Sequence, residues 1–78
     1  MGIIYSKQAV KALERMDAPT KTRIRDGISK LPDGDIKKLK GYATSFRLRI
    51  GDWRILFEMT MKEIKVDAIL PRGEAYKK

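Results

Sequence analysis

Three arginines stand close together in a stretch where basic and apolar residues alternate. Arg47, Arg49 and Arg54 belong to residues 44 to 58, which read TSFRLRIGDWRILFE. A guanidinium group keeps its positive charge at any physiological pH, and its planar fork of donors matches the oxygens of a phosphate. Held together on one rigid surface, these side chains would form an anion site.

The alternation around these arginines predicts a β-hairpin. Apolar residues recur at every second position on both sides of Gly51-Asp52, and this period is typical of half-buried strands. A glycine at the first position of a two-residue loop favours a type II′ turn, which fixes the register. The predicted pairs are Ile50 with Trp53, Arg49 with Arg54, Leu48 with Ile55, and Arg47 with Leu56. One face of the hairpin is therefore apolar and the other is cationic.

This register places two like charges directly opposite each other. Repulsion between Arg49 and Arg54 destabilises the folded state by less than about 1 kcal/mol. Folding alone does not explain why the sequence keeps this pair. Sequences break local rules of this kind most often at functional sites. A solvated face kept for solubility is the alternative interpretation of the same arginines.

Length and composition restrict the chemistry that is available. The chain has 78 residues, enough for one domain spanning residues 1–78, and it contains neither cysteine nor histidine. Thiolate ligands, the commonest metal ligand and the usual general base are therefore absent, and we expect no metal and no cofactor. No leader pattern or apolar run of about 20 residues appears, which predicts a cytoplasmic protein without membrane contact.

The net charge of +8 is concentrated on the hairpin and the segment before it. Residues 37 to 54 hold six basic residues and one acidic residue, Asp52. The basic residues are Lys37, Lys38, Lys40, Arg47, Arg49 and Arg54. Such a concentration indicates a polyanionic partner, nucleic acid before membrane, because no basic amphipathic helix with an aromatic face accompanies it. An acidic protein partner would satisfy the same charge.

The first half of the chain predicts one strand and two helices. Residues 3 to 5 favour a strand, Ser6 is a plausible N-cap, and residues 6 to 16 carry an apolar helical stripe. A second helix is predicted from Thr20 to Leu31, with Pro19 in its cap or first turn. The short connection requires an antiparallel helical hairpin, and Gly27 suggests close packing between the two helices.

The second half predicts three antiparallel strands. A basic segment over residues 36 to 42 precedes the hairpin, and a further strand over residues 64 to 70 follows a turn at Met61-Lys62. The predicted pairs in this second hairpin are Phe57 with Val66, Glu58 with Lys65, and Arg54 with Ile69. The expected fold is α+β, in the order β-α-α-β-β-β. Both helices cover one face of a four-stranded sheet whose first strand is added at an edge.

Other basic and aromatic residues allow two interpretations. Lys21, Arg23, Arg25 and Lys30 lie off the apolar stripe of the second helix. We expect them to form a solvated face, with secondary nucleic-acid or partner contacts as the alternative. Trp53 alternates to the apolar face, which favours core packing over stacking on RNA.

Several motifs of the chain resemble the RelE branch of the RelE/ParE toxins, the toxic halves of bacterial type II toxin–antitoxin pairs. The resemblance covers nearly the whole chain and is most specific in its middle segment. The motifs are Leu39 with Gly41, two basic residues at 47 and 49, the triplet Trp53-Arg54-Ile55, and Arg72 followed by Tyr76.

The resemblance implies a function as well as a fold. It implies ribosome-dependent, metal-independent cleavage of mRNA by attack of a 2′-hydroxyl on the adjacent phosphate, with a cognate antitoxin as inhibitor. The implied catalytic residues are Arg47, Arg49, Arg54, Arg72 and Tyr76, and Lys37, Lys38 and Lys40 are expected to bind RNA or the ribosome. Operator DNA would be contacted only through the antitoxin complex.

The identity of the general base is the least determined of these roles. Related toxins often carry lysines where Arg47 and Arg49 stand, and a guanidinium hardly loses its proton. We therefore favour Tyr76 as the base, with Arg47 or Arg49 stabilising its phenolate; stacking on a base and packing on the sheet are its alternative roles.

Two further functions fit a basic chain with this pattern. A ParE-like toxin would inhibit DNA gyrase by binding and would not need the arginines for cleavage. A non-enzymatic nucleic-acid-binding module would bind RNA or DNA in a salt-dependent way and would not arrest growth.

Overall fold

The computed structural model has two helices on one face of a five-stranded sheet, and it describes residues 2–31, 33–39 and 45–71. The chain order is β1 (Gly2–Tyr5), α1 (Lys7–Glu14), α2 (Ala18–Ser29), β2 (Asp35–Lys38), β3 (Ser45–Ile50), β4 (Trp53–Met59) and β5 (Glu63–Pro71). The predicted α+β class is confirmed. The motif residues Lys40, Gly41, Arg72 and Tyr76 lie outside the described residues.

The predicted four-stranded sheet is wrong by one strand. Residues 35–38, predicted to be the end of a turn and a basic lead-in, form β2 and pair with β3 in antiparallel orientation. The sheet order is β1-β5-β4-β3-β2, so β1 lies at one edge, parallel to β5, and β2 lies at the other. Ile36 faces Leu48 across this added pair, which extends the apolar side of the sheet by one strand.

The first helix begins at the predicted cap, Ser6, whereas the second begins at Ala18, two residues before the predicted start at Thr20. The Ser6 side chain accepts a hydrogen bond of 3.1 Å from Ala9 N, and its hydroxyl donates to Asp67 O at 2.6 Å. Asp17 is the N-cap of α2, and Pro19 occupies the first turn, where a missing N–H costs nothing. The Thr20 hydroxyl donates to Asp17 Oδ1 at 2.6 Å and thereby lowers the pKa of that carboxyl.

The first hairpin has the predicted register at every pair. Ile50 faces Trp53, Arg49 faces Arg54, Leu48 faces Ile55, and Arg47 faces Leu56. Gly51 has a φ of +56° and Asp52 does not have a positive φ, which is the combination that a type II′ turn requires.

A β-bulge makes the predicted register of the second hairpin wrong beyond residue 66. Phe57 faces Val66 as expected, but Leu56 faces Ala68, so Asp67 is an extra residue in β5. Arg54 therefore faces Leu70 and not Ile69. The shift turns the larger Ile69 toward the helices, where it is buried, in place of Ala68.

The core lies between the two helices and the apolar face of the sheet. Its buried members are Ala9, Ile24, Ile28, Leu48, Ile55, Phe57, Ile64, Val66 and Ile69. Gln8 fixes α1 on β5, since its amide accepts from Ile69 N at 3.0 Å and donates to Ile69 O at 3.4 Å. A Cβ at Gly27 would lie 2.5 Å from Ile50 Cδ1, so this glycine allows close packing of α2 on β3 rather than on α1.

Candidate nucleic-acid interface

The predicted arginines share the face of the sheet opposite the helices, which we call the arginine face. Residues directly opposite each other in paired strands point to the same side, so the register defines rows across this face. The row nearest the β3–β4 turn consists of Asp35, Arg49, Arg54 and Leu70. The next row consists of Lys37, Arg47, Leu56 and Ala68, and a third contains Ser45, Glu58, Lys65 and Ile4.

Arg54 is only 5% exposed, so it does not fit the alternative interpretation of the arginines as a solvated face. Its guanidinium folds back on its own turn, where Nη1 donates to Gly51 O and to Trp53 O, each at 3.0 Å. A buried guanidinium needs such acceptors to offset the loss of hydration. These two bonds also fix the orientation of the charge before any ligand arrives.

Arg49 stays exposed and meets the only acid in its row. Its Nε lies 3.9 Å from Asp35 Oδ2, and both side chains are more than half exposed. An exposed pair at this distance contributes little, between 0 and about 1 kcal/mol, so it only partly offsets the repulsion between Arg49 and Arg54. Asp35 was missed from the sequence because the turn-forming residues before it concealed the start of a strand.

The lysines predicted to bind RNA are divided between the two faces. Lys37 faces Arg47 across β2 and β3 and therefore lies on the arginine face. Lys38 faces Phe46 and points to the opposite side, at the edge of the sheet. Arg47 is half-buried, and its Nε atom is shielded from solvent. The structure thus brings Lys37, Arg47, Arg49 and Arg54 together and places Lys38 apart.

Two carboxylates on the far side of the arginine face were not predicted as a pair. Glu58 and Asp67 interact with each other next to the bulge at Asp67. Partial burial raises the pKa of Asp67, repulsion from Glu58 and a hydrogen bond that protonated Asp67 donates to Glu58 raise it further, and Lys65 lowers it. The alternation of the sequence gave no signal for a bulge at this position.

Trp53 packs against the core, as its alternation predicted, and also lines a groove. It is half-buried, and the groove has a volume of about 600 Å³ between α1, the start of α2 and the ends of β4 and β5. Met16 and Pro71 supply apolar wall, while Lys11 and Arg15 supply charge.

Residues 2–31, 33–39 and 45–71 contain neither a candidate metal site nor a candidate membrane-spanning helix. No group of three or more carboxylate, histidine or cysteine side chains in these ranges is arranged to hold a metal ion. In the same ranges, no helix is long and apolar enough to cross a membrane.

Comparison with known proteins identifies relatives that cover almost the whole chain. The sequence matches no family model. It is 30% identical over 84 residues to a toxin named RelE3 from Methanocaldococcus jannaschii, an alignment spanning 97% of this chain and 96% of that protein.

Solved structures of related toxins have the same fold. The RelB–RelE antitoxin–toxin complex from Methanococcus jannaschii matches with a TM-score of 0.77 and 29% identity, covering 94% of both chains. The archaeal RelE–RelB complex from Pyrococcus horikoshii matches with a TM-score of 0.75 and 30% identity, covering 92% of this chain and 94% of that one.

The fold is that of a small toxin of the RelE class. On the identity and coverage of these matches, the chain belongs to the RelE toxin family, so the expected resemblance is confirmed.

Proposed function

We propose that this RelE-family toxin cleaves mRNA on the ribosome, without a metal ion, at the arginine face. The reaction is attack of a ribose 2′-hydroxyl on the adjacent phosphate, which forms a bond from 2′-oxygen to phosphorus and breaks the bond to the 5′-oxygen of the next nucleotide. The 2′-proton leaves to a base, and the departing 5′-oxygen gains a proton. The products are a 2′,3′-cyclic phosphate and a 5′-hydroxyl.

The observation that carries this proposal is the orientation of Arg54. Its guanidinium is held by two backbone carbonyls of its own turn, directly across the sheet from Arg49. In-line attack on a phosphodiester builds negative charge on the non-bridging oxygens. Cations fixed before the reaction stabilise that charge without a reorganisation cost in the transition state.

The remaining arginines supply charge around this fixed group. Arg49 lies opposite Arg54, and Arg47 lies one row further along the same face. In the proposed reaction Arg54 and Arg49 bind the non-bridging oxygens of the cleaved phosphate, and Arg47 and Lys37 bind the RNA beside it. Arg72 and Tyr76 complete the proposed set, with Arg72 neutralising the leaving group and Tyr76 accepting the 2′-proton.

The proposed inhibitor is an antitoxin protein, with the ribosome and its mRNA as the target. Both archaeal RelE relatives were solved in complex with RelB, and a chain of net charge +8 is suited to an acidic partner. Coexpression with the antitoxin of its own operon should relieve the growth arrest that the toxin causes alone. Growth arrest that persists in a stoichiometric complex with that antitoxin would contradict this part of the proposal.

Primer extension on a defined mRNA tests the proposed activity. The purified protein is incubated with the RNA free in solution and with the same RNA on ribosomes that have an empty A site. We expect cuts only on the ribosome, and their loss with Arg54→Ala but not with Arg25→Ala, which removes a cation from α2. A folded protein that arrests growth without cutting either RNA would defeat the nuclease proposal and make gyrase the target to test.

A further inference from the structure

A fourth guanidinium reaches the turn that holds Arg54, from the opposite side. Arg23 belongs to α2, which packs on the apolar face of the sheet. A Cβ placed on Gly51 would lie 3.0 Å from Arg23 Nη2, 3.2 Å from Nη1 and 3.3 Å from Cζ. These nearly equal distances mean that the guanidinium lies across the glycine, while Arg54 donates to the carbonyl of the same residue.

Arg23 lies beside the most deeply buried residues of α2. Its neighbour Ile24 is completely buried, as is Ile28 one turn later, and Gly27 lets α2 approach β3 closely. The side chain nevertheless remains exposed, so its donors are accessible to a ligand. A cation on a firmly packed helix is positioned more accurately than one on a loop.

No acid within the described ranges neutralises this charge. The ion pairs of those ranges join Lys30 to Asp26 and Arg49 to Asp35, and neither includes Arg23. Solubility does not require a guanidinium to lie across a turn that already holds another. The arrangement resembles a phosphate-binding track that continues over the end of the sheet, from Arg49 and Arg54 on one side to Arg23 on the other.

We propose that Arg23 binds an RNA phosphate next to the cleavage site and extends the arginine face around the β3–β4 turn onto α2. The inference rests on the proposed function for the identity of the ligand as RNA. The phosphate belongs either to the mRNA strand as it leaves the arginine face or to the ribosomal RNA around it. The chemistry of recognition is the same for both, a forked donor on a phosphodiester oxygen.

A matched control is available on the same helix. Arg25 is also exposed, but it lines a separate shallow groove with Tyr5, Val10 and Leu13. Residues two apart on a helix point to different sides. Arg23→Gln and Arg25→Gln therefore remove the same charge from the same element, and only the first removes it from the turn.

The first arm measures binding without cleavage, using a fluorescein-labelled single-stranded 2′-O-methyl oligonucleotide that lacks the attacking hydroxyl. Anisotropy is followed between roughly 50 and 200 mM salt, the range over which phosphate contacts weaken strongly. For Arg23→Gln we expect about tenfold weaker binding at the lowest salt and a log–log salt slope smaller by about 0.7, the value for one phosphate of a single strand. Arg25→Gln should match the wild type in both.

The second arm measures cosedimentation with ribosomes that carry an mRNA and an empty A site. A defect of Arg23→Gln with the oligonucleotide assigns the phosphate to mRNA, and a defect on ribosomes alone assigns it to ribosomal RNA. Equal behaviour of the two glutamine variants in both arms would overturn the proposal.

Thermal unfolding checks that each variant is folded. If Arg23→Gln does not fold, Arg23→Lys takes its place. This variant keeps the charge and the salt slope and should bind a few-fold more weakly because it lacks the fork; unchanged affinity would overturn the proposal. Failure of the wild type to cut RNA would defeat the nuclease function, whereas wild-type binding by Arg23→Gln would defeat only this inference.

Discussion

The two ends of the arginine face differ in how far an opposite charge offsets their pairs of like charge. At the far end, Glu58 and Asp67 repel each other, but Lys65 stands opposite Glu58 and offsets part of that repulsion. At the turn end, Arg49 and Arg54 stand opposite each other, and Asp35 offers only a pair at 3.9 Å. The acids at the far end have a cation directly opposite, whereas the arginines at the turn end have only a distant, exposed acid, which indicates that the arginine pair serves a ligand.

The two ends also differ in how their groups are held. Arg54 is buried and bonded to two carbonyls of a tight turn, whereas Asp67 lies in an irregular, exposed part of β5. Rigid placement is what electrostatic stabilisation of a transition state needs. This contrast predicts large effects on activity for substitutions at the turn end and effects confined to stability at the far end.

The largest effect is expected from Arg54→Ala. The substitution removes the oriented guanidinium, and loss of one such preorganised donor lowers the rate by roughly a hundredfold or more. The single-turnover rate of cleavage on ribosomes with an empty A site measures this loss. Lys65→Ala, at the far end of the same face, is the matched control and should cleave at the wild-type rate. Equal losses of cleavage rate in both variants would show that the two ends of the arginine face contribute equally to activity.

A smaller effect on activity, opposed to the effect on stability, is expected from Arg49→Thr. Cleavage should fall about tenfold, since one charge-assisted hydrogen bond to the phosphate is lost. The free energy of unfolding should rise by about 0.5 kcal/mol, because the repulsion with Arg54 disappears and threonine suits a strand. Urea unfolding measures the change in stability, and the cleavage assay measures the change in rate. A variant that loses both activity and stability would show that Arg49 is structural.

Gly51→Ala tests the turn that orients Arg54. Gly51 has a φ of +56°, which costs a residue with a side chain roughly 1 kcal/mol, and its new Cβ would also press on Arg23. Urea unfolding should show this loss. Gly2→Ala is the control, since nothing lies within 4 Å of a Cβ there, and its midpoint should be close to that of the wild type. Equal midpoints for the two variants would contradict the strained turn.

The smallest effect is expected from Asp67→Asn, and it should depend on pH. Burial raises the pKa of Asp67 in the folded state, so the proton it binds favours folding at acid pH, and that contribution is lost as the pH rises through the raised pKa. At neutral pH the neutral asparagine should therefore be more stable by a few tenths of a kcal/mol, after allowance for solvent screening.

Thermal unfolding of Asp67→Asn and the wild type from about pH 3 to pH 7 measures this difference. The advantage of the variant should disappear below the ordinary range of an aspartate. An advantage that is constant with pH would show that Asp67 is not titrating in this range.

The parts predicted correctly from the sequence are those where one local rule acts alone. Gly51-Asp52 permits one tight turn, and that turn fixes the pairing of Arg49 with Arg54. Ser6 and Pro19 mark the helix starts for similar local reasons. The fold class followed from the order of these elements.

The errors arose where local patterns were compatible with more than one structure. Residues 68 to 70 are all apolar, so their alternation cannot reveal which of them faces the core, and burial of Ile69 in place of Ala68 decided it. The strand at residues 35–38 needed its partner β3 to be recognised. The burial of Arg54 depends on the carbonyls of the folded turn, and the approach of Arg23 to Gly51 depends on helix packing; neither has a sequence signal.

The most direct test of the central claim removes the attacking 2′-hydroxyl from the substrate. An mRNA with a 2′-deoxy nucleotide at the mapped cleavage position is placed on ribosomes with an empty A site and incubated with the wild-type protein. We predict that the cut at this position disappears, while the unmodified mRNA yields a 5′ fragment ending in a 2′,3′-cyclic phosphate. Cleavage of the deoxy-substituted mRNA at the same position would contradict attack by the 2′-hydroxyl and the role assigned to the arginine face.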